Sequence, residues 1–219
     1  MSTDLQDDHM TNALLKEVKW IVQEMDKFGH AVLCAVPKNH PELNEKIVNW
    51  QEIWERDKVQ DFAESLSAEC GVEITAICSN RDDPPDCFVK RGGEKIGIEV
   101  TILIKSEILK RIAQSRPDQR KKNPYPPWEQ FLDELWTQEE FINEVQKLIA
   151  QKDDKAKKKG VIFDVLLIYT DEGDLTPERL EEWLSNQKFS ATNIKEMYLL
   201  RSYWPGYREY APLFKLNVE

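Results

Sequence analysis

The chain has 219 residues, 41% hydrophobic and 32% charged, a balance that fits a soluble protein with one sizeable core. Its 30 Lys and Arg face 40 Asp and Glu, for a net charge of −10, which argues against wholesale coating of nucleic acid but not against a local basic patch. No apolar run approaches the ~18 residues of a membrane span, and the polar start Met1-Ser2-Thr3-Asp4 does not read as a signal peptide. A cytoplasmic protein without a membrane partner is expected. Cys34, Cys70, Cys78 and Cys87 show no CxxC pairing, so reduced thiols are expected rather than disulfides or zinc.

Residues 1–10 read as a polar tail. From Thr11, apolar residues at Leu14, Leu15, Val18, Ile21, Val22, Met25 and Phe28 recur at helical spacing as far as Gly29. His30 to Val36, closed by Pro37, has the composition of an extra strand. A second helical region begins near Pro41 and runs, with or without a break, to Glu69. Its stripe is Ile47, Trp50, Trp54, Val59, Phe62, Ala63 and Leu66. Glu55 falls seven residues before Phe62 and extends that stripe, while Glu52 and Glu64 are the other acids to weigh. Gly71 ends the helix, and Val72 to Cys78 alternates as a strand.

Two short apolar runs follow, Cys87 to Val89 and Ile96 to Leu103, separated by the turn-like Arg91-Gly92-Gly93-Glu94. Pairing them antiparallel brings Asp86, at the start of one strand, toward Glu99 inside the next. Period-two alternation puts Gly97, Glu99, Thr101 and Leu103 on one face, opposite Ile96, Ile98, Val100 and Ile102. Two carboxylates converging in a strand fit for burial are costly unless a cation neutralises them, and hard oxygen ligands suit Mg²⁺ or Mn²⁺.

Beyond Leu103 the charge reverses. Residues 105–122 hold Lys105, Lys110, Arg111, Arg116, Arg120, Lys121 and Lys122 against only Glu107 and Asp118. The loop Asn123-Pro124-Tyr125-Pro126-Pro127-Trp128 follows, too rich in proline for a helix. Together they read either as a nucleic-acid arm, with cations for phosphate and a ring for stacking, or as a solvated insertion whose Trp128 packs on the domain.

Gln138 to about Lys159 is a helix with the stripe Phe141, Ile142, Val145, Leu148 and Ile149. Continuing the stripe lands on Lys152, an ammonium on a face that meets the sheet. It needs a carboxylate or ligand partner there, unless its stem lies along the surface with its head in water. Lys155, Lys157, Lys158 and Lys159 read as a solvated last turn that suits the helix dipole. Val161 to Tyr169 is the most continuous apolar strand, expected to be central and buried on both faces. Thr176-Pro177-Glu178 starts a helix through Trp183. Ile194 to Tyr203 and Tyr207 to Val218 form a hairpin around Trp204-Pro205-Gly206. Tyr203, Trp204, Tyr207 and Tyr210 serve either base stacking or hairpin packing.

Pro85-Asp86, twelve residues, then Glu99-Val100-Thr101 resembles the PD-(D/E)xK nuclease superfamily in a variant with EVT in place of ExK. The likeness takes in the order of elements from about residue 44 to 170, roughly half the chain. It implies an α/β fold with an αβββαβ restriction-endonuclease-like core, a mixed sheet flanked by helices, here with an N-terminal helical extension and a C-terminal β-hairpin. Residues 1–40 would be the extension. Residues 41–219 would be the nuclease-like domain, with 105–136 as a basic, proline-rich insertion. The resemblance further implies a Mg²⁺- or Mn²⁺-dependent hydrolase of DNA phosphodiester bonds, in defence or repair. Asp86, Glu99 and the Val100 carbonyl would be metal ligands, and Glu55 the acid such nucleases often carry on the preceding helix. Thr101 stands where the family has its lysine. Some members supply that lysine from the following helix, as Lys152 would here, with Lys105 next in line. Lys105, Arg111, Arg120, Lys121 and Lys122 would contact nucleic acid. A homodimer or a protein partner stays open, as does a non-cutting fold that binds nucleic acid or protein.

Overall fold

A computed structural model describes residues 44–80, 84–105, 135–202 and 204–218, with the side chains of 44–50 left aside. The expected helix from Thr11, the strand at His30 to Val36, and Arg111, Arg120, Lys121, Lys122 and Trp128 lie outside the described residues. Apart from residues 44–47 at the start of the first helix, the described elements belong to a unit drawn from Val48–Lys105 and Pro127–Glu219. Within it, helices α1 (Asn44–Cys70), α2 (Gln138–Lys159) and α3 (Pro177–Leu184) accompany seven strands. These are β1 (Ile74–Ser79), β2 (Cys87–Arg91), β3 (Glu94–Ile102), β4 (Phe163–Thr170), β5 (Lys188–Phe189), β6 (Ile194–Arg201) and β7 (Leu213–Val218).

The strands form one mixed sheet in the order β1-β2-β3-β4-β6-β7-β5. The first three are antiparallel neighbours, β3, β4 and β6 run parallel, and β7 returns antiparallel beside β6. Gly92 and Gly93 turn the β2–β3 hairpin with φ of 60° and 88°. Two consecutive positive φ angles are what a two-residue turn matched to strand twist requires, and glycine adopts them without a Cβ penalty. The turn fixes the register, with Arg91 opposite Glu94 and Cys87 opposite Ile98.

Alternation along the strands feeds two cores. Ile96, Ile98, Val100, Val165, Leu167 and Tyr169 share one face with Val59, Phe62 and Leu66 of α1. Leu103, Leu166 and Ile168 share the other with Phe141, Val145, Ile149 and Ala156 of α2 and Leu180 of α3. β4 is buried on both faces, as its continuous apolar run dictates. Fully buried rings such as Phe62 and Phe141 anchor the two layers, and truncating either to Ala costs about 3–5 kcal/mol.

Boundaries differ from the sequence expectation at three places. Helix α1 runs unbroken for 27 residues. Strand β1 starts at Ile74, and its register shifts between Thr75 and Cys78, where Ala76 takes a φ of 52°. The return strand of the C-terminal hairpin starts at Leu213 rather than Tyr207. The residues between hold an arginine–aromatic cluster, with Arg208 against the Tyr207 and Tyr210 rings at 5.1 and 5.6 Å. Among the described residues no helix is long and apolar enough to cross a membrane.

Candidate active site

The segment before β2 places Asp86. Asn80 donates from its backbone N–H to the Asp86 carbonyl at 2.8 Å, and from Nδ2 to the Pro85 carbonyl at 2.8 Å. The Pro85 ring lies directly against β3 at Gly97. A Cβ on Gly97 would stand 2.8 Å from Pro85 Cγ, closer than side chains approach, so this contact requires glycine. So held, Asp86 Oδ2 accepts the Val100 N–H at 2.7 Å, which sets its carboxylate beside the residue that follows Glu99.

Glu99 is 0% exposed. Its Oε1 accepts the Lys152 ammonium at 2.6 Å and the Lys155 ammonium at 2.8 Å. Lys152 also donates to the Val100 carbonyl at 3.1 Å. Both lysines come from α2, whose rotation is set at each end. Thr137 and Glu140 form a reciprocal capping box at the start, and Gly160 closes the helix in a left-handed conformation at φ 67°. Phe141, Val145, Ile149 and Ala156 bury one stripe of α2, and Lys152 and Lys155 flank it at a spacing of three. Among the described residues no hydrogen-bond donor reaches Glu99 Oε2.

Electrostatics bind a third carboxyl to this pair. Burial, then the charge of Glu99, pushes Asp86 up to about 6, against the pull of Lys152, the Val100 N–H and Lys155. Glu55, buried on α1, is pushed up to about 7 by burial first and the charge of Asp86 next. The hydrogen bond from Gln51, at 2.7 Å, and the charge of Lys152 oppose that rise. The other helix acids stand apart, since Glu64 is exposed and holds Gln60 at 2.8 Å, and Glu52 is half-buried without a link to this group. The Cys87 thiol is pushed up to about 12 by burial and by the charges of Glu55 and Asp86, so it offers no thiolate nucleophile.

Of the remaining expected residues, Thr101 lies half-buried on β3, two positions beyond Glu99 on the same face. Lys105 is placed differently from both roles expected of it. It is 6% exposed, donates to the Leu135 carbonyl at 2.9 Å, and pairs with Glu140 at 3.5 Å. Its ammonium is buried and engaged at the start of α2. The Val100 carbonyl, expected as a metal ligand, accepts Lys152 instead. Lys155 was not legible as a site residue, because a run of lysines at a helix end reads as solvated. The signal lay in its spacing of three from Lys152.

Among the described residues no group of three or more His, Cys, Asp or Glu side chains is arranged to hold a metal ion. Asp86 and Glu99 are the two acids drawn together at the start of β2 and inside β3, and one buried Glu99 oxygen lacks any donor. Carboxylate oxygens in a crowded acidic site fit Mg²⁺ or Mn²⁺ in chemistry. Comparison with family models, curated proteins and solved structures finds no significant match to this chain.

Proposed function

We propose that this chain is a metal-dependent nuclease, hydrolysing phosphodiester bonds of DNA on a PD-(D/E)xK-like core. The element order α1-β1-β2-β3-α2-β4, with β3 and β4 parallel, supports that core assignment. The observation that carries the reading is the Lys152 ammonium at 2.6 Å from Glu99 and 3.1 Å from the Val100 carbonyl. These contacts support reading Lys152, from the next helix, as standing in for the lysine that position 101 lacks.

In this reading Asp86 and Glu99 hold the divalent cation. When bound there, the cation polarises the scissile phosphate and acidifies the attacking water. Lys152 sets a fixed positive charge beside the carboxylates, where charge builds on the phosphate oxygens. Glu55, its carboxyl pushed up to about 7 by burial and then the charge of Asp86, would take a proton at neutral pH. Thr101 brings a hydroxyl and no charge. The basic stretch from Arg111 to Lys122 would supply phosphate contacts, in defence or repair of DNA.

Incubation with duplex and single-stranded DNA and RNA, in Mg²⁺, Mn²⁺ or EDTA, tests the proposal. Cleavage of DNA with metal and none in EDTA is expected. No cleavage of any form with either metal would overturn it. One observation favours a second reading, a non-cutting nucleic-acid or protein-binding module. Glu99 Oε1 already accepts two ammonium groups, which balance the Glu99 charge without a metal ion. The same assay, together with nucleic-acid binding in EDTA, separates the two.

A further inference from the structure

Positive charge near Glu99 extends past the two lysines that touch it. Along the β2–β3 hairpin, Cys87, Val89, Ile96 and Ile98 fill the core beneath α1. Alternation therefore puts Phe88, Lys90, Lys95 and Gly97 on the opposite face, the one that carries Glu99. Lys90 and Lys95 are exposed and stand directly opposite each other, a like-charge pairing that costs stability. Lys95 lays its ammonium over the Phe88 ring at 3.5 Å, and among the described residues neither lysine has a carboxylate at ion-pair distance. Helix α2 carries a matching line. It leads into β4, which runs parallel to β3, so α2 and β3 point in opposite directions. Lys159 follows Lys152 by seven residues, on nearly the same side of the helix and about 10 Å nearer its end. Lys158 follows Lys155 by three. Lys95 precedes Glu99 by four residues, about 13 Å at the strand rise. Both lines leave Glu99 toward the same end of the sheet, and both finish on exposed lysines. Of the acids nearby, Asp164 is paired with Lys195 at 2.7 Å, and Glu94 lies at the hairpin turn. Asp154, two residues from Lys152, lies about 200° around α2 from it.

We propose that this face of the β2–β3 hairpin, together with the last turn of α2, is a phosphate track that leads a nucleic-acid strand to the Asp86–Glu99 pair. The inference takes its ligand from the nuclease reading above and adds the surface that holds the substrate. A path of about 13 Å covers roughly four nucleotides, at ~3.4 Å of duplex axis per step on one strand. Lys90, Lys95, Lys158 and Lys159 are exposed, with no acid partner among the described residues, which suits a row of phosphates. An anion lying between Lys90 and Lys95 also relieves their mutual repulsion. Because Lys95 covers the Phe88 ring, the contact is made by charge and not by base stacking.

The test is fluorescence anisotropy of a labelled DNA duplex, titrated with the full chain in EDTA across a salt series. The variants are Lys90→Gln with Lys95→Gln, Lys158→Gln with Lys159→Gln, and Lys215→Gln as a control for lost charge. Lys215 lies over the Tyr198 ring on the other face of the sheet. Each lysine pair is expected to weaken binding roughly tenfold at low salt. Each should also flatten the slope of log K against log salt by about 1.8, at ~0.9 per phosphate contact. Lys215→Gln should leave the slope alone, and arginine at positions 90 and 95 should keep it. Slopes unchanged by both pairs, or flattened as much per charge by Lys215→Gln, would overturn the track and leave the nuclease reading standing. A wild type that ignores the duplex but binds phosphatidylserine vesicles through these lysines would overturn it in favour of a membrane surface. The expected slopes without cleavage in Mg²⁺ or Mn²⁺ would support the track and remove the nuclease reading instead.

Discussion

Glu99 and Glu196 flank β4 from either side, Glu99 opposite Leu166 and Glu196 opposite Val165. Each is a strand glutamate facing two cations, yet their surroundings differ in kind. Glu196 is 25% exposed, and both its oxygens are matched. Oε1 accepts Arg91 at 2.5 Å, and Oε2 accepts the Tyr198 hydroxyl at 2.8 Å with Lys215 at 3.8 Å. Burial works against its charge, but the hydrogen bonds from Arg91 and Tyr198 prevail and hold its carboxyl below the ordinary range. Glu99 is sealed from solvent, loads both ammonium groups on one oxygen and leaves the other without a donor. Its neighbours Asp86 and Glu55 are pushed up rather than down. A finished ion cluster stabilises itself, whereas here like-charged carboxyls crowd around a buried oxygen that no donor reaches.

Cutting the Glu99 cluster should have the larger consequences. Asp86→Ala should take metal-dependent cleavage to background while leaving the metal-free fold as stable or slightly more so, since one of two facing carboxylates is gone. A lost melting transition in that variant would show that Asp86 is structural. Lys152→Met keeps the stem and removes the charge. Cleavage should fall by roughly 10²–10³-fold, as when a preorganised charge stabiliser is lost. Near-normal rates would refute its assignment.

A subtler way to break the contrast leaves every charge in place. Gly97→Ala inserts a methyl into the Pro85 ring and should displace Asp86 from the Val100 N–H. The expected cost is about 1–3 kcal/mol of stability, seen in denaturant midpoints, with a fall in cleavage out of proportion to it.

The pH dependence sharpens the comparison through its sign. Asp86 rises from 3.8 to about 6 and Glu55 from 4.5 to about 7 on folding, so the folded state binds more protons than the unfolded one across that window. Their contribution to metal-free stability is full below about pH 4 and lost as pH rises toward 7. Glu196, held low, contributes stability above its ordinary range and loses it as pH falls. Melting curves of Glu55→Gln and Glu196→Gln against pH should therefore depart from wild type in opposite senses. The smallest effect is at neutral pH, where Glu196→Gln should cost about 1 kcal/mol or less and leave cleavage unchanged, as expected of a partly solvated pair.

Much of this site was written in short-range pattern. The bounds of α2 followed from the apolar stripe through Phe141, Val145 and Ile149, and its continuation led to Lys152. The seven-residue step from Phe62 back to Glu55 led to the third carboxyl, and Gly92-Gly93 settled which strand residues face each other. Legibility failed where position depends on distant chain. The anchoring of Lys105 at Leu135 and Glu140 crosses thirty residues or more, and its basic neighbours made it look like part of a surface arm. The two-residue β5 has no periodicity to read, and its pairing with β7 is set by tertiary contact alone. Lys155 was hidden by composition, because three more lysines follow within four residues.

The double capping of α2 carries a consequence for how this site can vary. Thr137 and Gly160 clamp the helix at both ends, so its angular phase is fixed as a shaft is by two bearings. Each residue turns an α-helix by about 100°, and a single insertion between Thr137 and Lys152 would swing both ammonium groups off Glu99 with no side chain replaced. Such a change passes unnoticed in composition and in the β-strands that carry the acids. In this chain, then, the cations that meet Glu99 depend on the length of a helix.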